Sequence, residues 1–383
     1  MIREVSIENF KSIQELNLQL GRVNTFIGAN GSGKSNILEA IALQSAAAQN
    51  KLDNEFLASR GIRVTEPMFM RAAFDAEGAQ SDITIRVHLD DDVEIAHRLW
   101  AEETSAYARW QAAPIWDRPD RMQRSMHEAD EAFKHIVKAL GIPESVLEER
   151  LRSAIEKAAL SYSDRLPGFI VFSPENSYLR IFQAEGQILP LGIKGEGLFA
   201  HLKALNARFP ARLAEIMDKL ALIDWFERLD FPADLAPGER SIRIRDRYLA
   251  EGALFDQRSA NEGFLFLLFY LTLFISPDTP RFFAIDNVDA SFNPKLCATL
   301  IQELTGLAKK YEKQVILTTH NPAVLDGIDL TDDEQRLFVI ARNKDGHTKA
   351  RRVSPPRPIE GEPPMKLSEA FMRGYIGGLP KNF

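Results

Sequence analysis

The sequence predicts an α/β fold made of an antiparallel β-lobe, an α/β core and a helical insertion. Three observations carry that prediction. Apolar and polar residues alternate near the start (Val5 and Ile7, then Leu16, Leu18 and Leu20), the pattern of half-buried strands. A glycine-rich loop at 28–35 separates a short apolar strand, Val23–Ile27, from a run at helical spacing. The last third alternates apolar strands with helices, at Arg281–Ile285, Pro294–Tyr311 and Gln314–Thr318.

The loop reads Gly28-Ala29-Asn30-Gly31-Ser32-Gly33-Lys34-Ser35, a complete G-x-x-x-x-G-K-S pattern. Its glycines let consecutive backbone N–H groups turn around a phosphate chain, Lys34 reaches the β- and γ-phosphates, and the Ser35 hydroxyl can ligate Mg²⁺. Ile37, Leu38, Ile41 and Ala42 follow at helical spacing, so the positive end of a helix faces the anion. A nucleoside triphosphate is the expected ligand, held by Asn30, Gly31, Ser32, Gly33, Lys34 and Ser35.

Two strand-like runs, Pro67–Phe74 and Ile83–Leu89, complete the predicted β-lobe over residues 1–92. Residues 93–167 read as the helical insertion, with Phe133, Ile136, Val137 and Leu140 lining one run. Val146, Leu147, Leu151 and Ile155 line the next, across the breaker Gly141-Ile142-Pro143. Residues 168–350 form the rest of the core. Strands are expected at Phe169–Phe172 and Tyr178–Phe182, helices at Gly197–Asn206 and Pro210–Leu222, and an alternating strand around Ile242 and Ile244. A proline-rich tail follows over 351–383, with a short helix near Lys366–Met372.

The 383 residues are 45% hydrophobic and 26% charged, ordinary for a soluble globular chain with a large core. Cys297 is the only cysteine, which excludes a disulfide framework and a cysteine zinc site. The seven histidines show no metal-binding spacing. The first residues lack a signal-peptide pattern, so a reducing cytoplasm is expected. Phe264–Ile275 is almost wholly apolar, but 12 residues fall short of the roughly 20 that a spanning helix needs, so no membrane is expected and a buried core helix is. The net charge of −7 argues against a general polyanion binder. Basic residues do gather at Arg342, Lys344, Lys349, Arg351, Arg352 and Arg357, which suits either a solvated edge or a patch for nucleic acid or an acidic partner.

Three further motifs follow in order. Arg258–Gly263 sets Ser259 and Gly263 just before the apolar helix, where a hydroxyl and backbone N–H groups can meet an anion. Phe282-Phe283-Ala284-Ile285-Asp286 is an apolar strand ending in an acid, the position of a Mg²⁺ carboxylate in a phosphate-loop fold. Val315–Thr319 is a second apolar strand, delivering His320 to the same edge, where its imidazole can hydrogen-bond a γ-phosphate.

With Ile7-Glu8-Asn9-Phe10-Lys11-Ser12, these motifs resemble the ABC-type ATPases of the SMC/RecF/OLD group, most of all the compact AAA family ATPases of bacterial anti-phage systems. The resemblance implies an ABC-type ATPase head, an antiparallel β-lobe on a RecA-like core, using ATP and Mg²⁺ with Ser35 and Asp286 as metal residues. It also implies an ATP-sandwiched homodimer or higher oligomer in which Ser259 and Gly263 face the other chain's loop. His320 would be the switch histidine, and residues 287–293 would cross the dimer.

This chain departs from that pattern in three ways. Asn287 stands where such ATPases carry a glutamate; an amide positions water but takes no proton, and a lost general base costs about 10²–10⁴ in rate. Asp289 is a candidate substitute. Gln44, Gln49 and Gln80 are all open as the Q-loop glutamine. The roughly 60 residues after His320 leave no room for the TOPRIM nuclease of the OLD group, so no nuclease is expected here.

The function expected is therefore a slowly hydrolysing ATPase that assembles on ATP and controls a separately encoded effector, with a nuclease the first candidate, in phage defence. Two alternatives stay open: a non-hydrolysing ATP-gated scaffold, and a RecF- or SMC-like DNA repair or maintenance factor.

Overall fold

The computed structural model describes residues 1–90, 93–101, 108–115, 166, 168–181, 191–232, 240–355 and 365–379. Strands β1 (Ile2–Phe10) and β2 (Ile13–Gln19) form an antiparallel hairpin with Val5 opposite Leu18 and Ile7 opposite Leu16. The alternating apolar residues thereby fall on one buried face. Strands β4 (Ile83–Leu89), β5 (Glu94–Ala101) and β6 (Trp110–Pro114) extend this sheet in the order β2-β1-β4-β5-β6.

Two of the expectations for this region need correction. Residues Glu94–Ala101 and Trp110–Pro114 do not begin a helical insertion, because they form β5 and β6. Ile95 and Leu99 of β5 and Trp110 of β6 are buried in the lobe's core; Ile95, Ala96 and Leu99 stand at i, i+1 and i+4, a spacing that reads as helix in the sequence. The rest of the proposed insertion, Phe133 to Ile155 included, lies outside the described residues. Nor is Pro67–Phe74 a strand. Pro67 opens a short helix, where its missing N–H is no loss, and only Arg71 bridges to Phe10 of β1.

The central sheet has six strands in the order β14-β13-β3-β12-β11-β7. Strands β3 (Val23–Ile27), β7 (Val171–Phe172), β11 (Phe282–Ile285), β12 (Gln314–Thr319) and β13 (Gln335–Arg342) run parallel to their neighbours. Strand β14 (Thr348–Arg352) closes one edge antiparallel to β13. Both faces are covered, which is why these strands read as continuous apolar runs. Phe283, Ile285, Val315 and Leu317 join one buried cluster; Phe282, Ala284, Ile316 and Phe26 join another on the opposite face.

Helix α1 (Lys34–Ala48) lies between the central sheet and the β-lobe and is buried on nearly every side. The apolar run forms helix α7 (Glu262–Ile275); every residue from Phe264 to Ile275 is buried, and all but Thr272 belong to the other cluster. Packed with it are α5 (Leu198–Arg208), α6 (Pro210–Leu220) and α8 (Pro294–Lys310), all where the sequence placed helices. Tyr178–Phe182 is a further correction. Residues Asn176–Ile181 form a short helix, α4, in which Leu179 alone is buried, so no alternating face exists to support a strand. A small sheet of β8 (Phe226–Asp230), β9 (Arg243–Asp246) and β10 (Phe255–Asp256), and a terminal helix α9 (Leu367–Met372), complete the described chain. Among the described residues no helix is long and apolar enough to cross a membrane.

Candidate functional site

Parallel pairing sets the site. Register aligns Ile27 of β3 with Thr319 of β12, and Leu317 of β12 with Ile285 of β11. The segments leaving these three strands therefore emerge side by side at one sheet edge, where ligands gather in open α/β folds. They are the phosphate loop, the Asp286 turn and the His320 turn. They border a cleft of about 420 Å³ lined by Asn30–Asn36, Arg63, Asp286, Asn287, His320 and Arg342.

The glycines of the loop answer to specific neighbours. Gly33 has φ +104°, and a Cβ there would collide with the Thr348 hydroxyl; a Cβ on Gly28 would collide with the Ile340 carbonyl. The loop is thus clamped between its own strand and the β13–β14 hairpin. Thr348 Oγ1 donates to the Ser32 carbonyl at 3.0 Å and lies 2.7 Å from Ser12 Oγ, which accepts from Asn36 Nδ2 at 2.7 Å. Arg63 continues the chain of contacts, donating to Asn36 Oδ1 at 3.0 Å and pairing with buried Glu39, which also pairs with Lys11. Here the Phe10-Lys11-Ser12 motif finds its physical role: it ties the β-lobe to the first turns of α1. Arg342 adds a bond to the Gly31 carbonyl at 2.8 Å.

Lys34 is buried and folded back, donating to the carbonyls of Gly28 (2.8 Å) and Ala29 (3.2 Å). Burial pushes its pKa down to about 8, against the pull of Asp286 and Asp289. Ser35 Oγ donates to Asp286 Oδ2 at 3.0 Å, across 251 positions of sequence, and Thr318 Oγ1 holds the other carboxylate oxygen. The same Thr318 hydroxyl accepts from the Asn287 backbone N–H at 2.9 Å. Asn287 is exposed, with φ +54°, a left-handed conformation that asparagine tolerates better than most residues.

Asp289 accepts from Thr319 Oγ1 at 2.6 Å and does not line the cleft. His320 does, and its Nδ1 lies 3.0 Å from the Gly28 carbonyl. Lys34 Nζ lies 3.3 Å from the same nitrogen, so Nδ1 either donates to the carbonyl or accepts from the amine, according to the tautomer. Burial and that amine hold the His320 pKa below the usual range. Ser259 and Gly263 do not line the cleft; Ser259 is exposed, and the cap of α7 is Asn261, which accepts from Phe264 N at 2.7 Å. Gln44, Gln49 and Gln80 do not reach it either, and Gln44 is bonded instead to the Ile95 carbonyl in the β-lobe.

Sequence reading missed several contributors to this site: Thr318, Thr348, Arg63, Glu39 and, as a cleft residue, Arg342. Only the polar pair Thr318-Thr319 at the end of an apolar strand was an available signal.

The family described as "AAA domain, putative AbiEii toxin, Type IV TA system" matches residues 23–326. The chain belongs to that AAA-domain family. Solved structures give the same fold. An SMC head bound to the C-terminal winged-helix domain of ScpA is 15% identical with a TM-score of 0.54, covering 92% of this chain and 97% of that one. An SMC head domain with coiled coil and joint from Pyrococcus yayanosii is 13% identical with a TM-score of 0.50, covering 97% and 98%. An uncharacterized protein of Methanocaldococcus jannaschii is 42% identical over 67 residues; the match spans 16% of this chain and 31% of that protein's length. This AAA-family chain is thus a compact ATPase-type domain with the head architecture of SMC proteins.

Proposed function

We propose that the cleft binds ATP with Mg²⁺, that two or more copies of the chain assemble on the bound nucleotide, and that this assembly controls a separately encoded effector. The observation that carries the first step is the approach of Ser35 Oγ to Asp286 Oδ2 beside Lys34. Mg²⁺ takes few protein oxygens and leaves its other positions to phosphates and water. A hydroxyl and one carboxylate suit it, and among the described residues no larger metal-ligating cluster competes. The buried Ser32 hydroxyl has no partner among the described residues, as expected of a cradle made for an anion. When bound, the metal supplies charge neutralisation across the phosphates. Lys34 has to turn from its carbonyls to the phosphates, and Arg63 and Arg342 add positive charge on the facing wall.

A second cleft, of about 410 Å³, shares Asn36, Arg63 and Arg342 with the first and adds Lys11, Phe69 and Phe74. Phe69 and Phe74 are 56% and 40% exposed, so their rings are open to a nucleobase there. Exposed Ser259 suits the reading in which the signature segment meets a second chain's phosphates. The toxin–antitoxin system in the family description supports a separately encoded partner. The DNA-maintenance alternative has less support. Arg342, Lys349, Arg351 and Arg352 donate to Gly31, Glu15, Ile376 and Asp333 respectively, so four residues of the basic run are engaged within the chain.

Equilibrium ATP binding tests this, measured with and without Mg²⁺ and followed by sedimentation. Asp286→Asn should remove the gain from Mg²⁺ while leaving metal-free binding intact. A chain that stays monomeric at saturating ATP and Mg²⁺ removes the assembly step; wild-type protein that fails to bind ATP removes the reading.

A further inference from the structure

Exposed large apolar side chains that cluster mark interaction surfaces, whereas single ones need no explanation. Among the described residues they gather in three places. Met68, Phe69 and Phe74 form the first set. The two phenylalanines line the second cleft, which shares Asn36, Arg63 and Arg342 with the phosphate-loop cleft. Tyr248, Leu249 and Leu254 form the second set, on the connection from β9 to β10. From Leu254, β10 leads straight to Ser259, whose N–H donates to the Asp256 carbonyl at 3.1 Å. Exposed Ile181 lies by the same segment, because its neighbour Arg180 donates to the Arg258 carbonyl. The third set is on the terminal segment, over 372–379.

Two of the sets therefore flank the surfaces that assembly on ATP would join, the phosphate-loop cleft and the exposed Ser259 segment. Charge matches as well. Lys11, Arg63, Arg71 and Arg342 line the second cleft with no acid among its lining residues. The tip between β9 and β10 carries Asp246 and Glu251 against Arg247, and Tyr248 donates its hydroxyl to Asp224 at 2.8 Å. Resting on the assembly reading above, we propose that the β9–β10 tip of one copy packs on the Met68–Phe74 rim of a second copy. In a two-fold dimer every contact of residue i with residue j recurs as j with i. One chain must then present both halves of the contact on separate surfaces, whereas a partner of different sequence needs only one patch. Packing Leu249 and Leu254 on Met68 and Phe69 removes apolar area from water twice per dimer, and the acids of the tip meet the cations of the cleft.

Single-cysteine variants test this, because Cys297 is buried and shielded from reagents. Leu249→Cys protein is mixed with Met68→Cys protein at saturating ATP and Mg²⁺ and treated with a short bismaleimide. The mixture should cross-link into dimers, while each variant alone, and the mixture without nucleotide, should not. Leu249→Asp should weaken ATP-dependent dimerisation in sedimentation by about 10²-fold, about tenfold for each repeat of the contact, with ATP affinity of the monomer within about twofold of wild type. Met68→Asp should act likewise, and Met372→Asp, in the third set, should leave dimerisation unchanged. Dimers that form on ATP yet cross-link only like to like, or not at all, overturn the proposal, as does a Leu249→Asp variant that dimerises normally. A chain that binds ATP and stays monomeric would instead sink the assembly reading beneath it.

Discussion

Two buried lysines sit at opposite ends of the central sheet, and both have pKa values pushed down to about 8 by burial. Lys34, at the carboxyl end of β3, donates to two loop carbonyls beside two carboxylates that pull its pKa back up. Lys313, at the amino end of β12, donates to four oxygens, the carbonyls of Ser276, Thr279 and Pro280 and the Thr279 hydroxyl, at 2.9–3.2 Å. Those oxygens belong to the chain leaving α7, so Lys313 secures the end of the apolar helix. One amine faces a cleft and can exchange its partners; the other is enclosed. Burial and a depressed pKa are the same in both, so they do not distinguish a ligand-binding lysine from a structural one. Exchangeable partners do.

The largest effect expected from breaking this comparison falls on Lys34. Lys34→Met should weaken ATP binding by about 10²–10³-fold, the loss of a charge-assisted contact worth about 3–4 kcal/mol, with urea stability within about 1 kcal/mol of wild type. Loss of stability without loss of binding would make the two lysines equivalent.

Lys313→Met should do the reverse, lowering unfolding free energy by about 3 kcal/mol because four oxygens lose their donor, with ATP affinity unchanged. The pH dependence sharpens this. The folded pKa of Lys313 lies below its unfolded value of 10.5, so from about pH 8 to 10.5 the unfolded chain holds the proton more tightly. Wild-type stability relative to Lys313→Met should therefore rise across that window, by about 1–3 kcal/mol, in paired urea titrations. A relative fall would mean that the four oxygens hold the ammonium form.

The smallest effect tests whether the loop needs its clamp. Thr348→Val keeps the shape but removes the hydroxyl between Ser12 and Ser32, and should cost about 1 kcal/mol of stability and weaken ATP a few-fold. Unchanged calorimetric affinity and melting would show that the backbone of the loop holds its form unaided.

Where sequence reading succeeded, the chemistry was local. The phosphate loop, the buried α7, the Asp286 strand and the His320 strand are contiguous patterns with a period or a motif of their own. It failed where neighbours decided. Residues Glu94–Ala101 became a strand because β4 offered an edge, and Trp110–Pro114 paired on that strand in turn; Pro67 started a helix, and Asn176–Ile181 had only Leu179 to bury. The cleft's supporting residues were illegible for the same reason, since Arg63 and Thr348 have no motif and act through Asn36, Glu39, Ser12 and Ser32.

By itself, the sequence determined that a phosphate-binding loop, an acid-ended strand and a histidine-ended strand occur in that order, because each is written in adjacent residues. Tertiary structure alone decided that parallel pairing of β3, β12 and β11 brings Ser35 to Asp286 and the His320 ring to the Gly28 carbonyl. Strand order and register, set by burial on both faces of the sheet, position those atoms to within a hydrogen bond, and no local pattern in the chain encodes them.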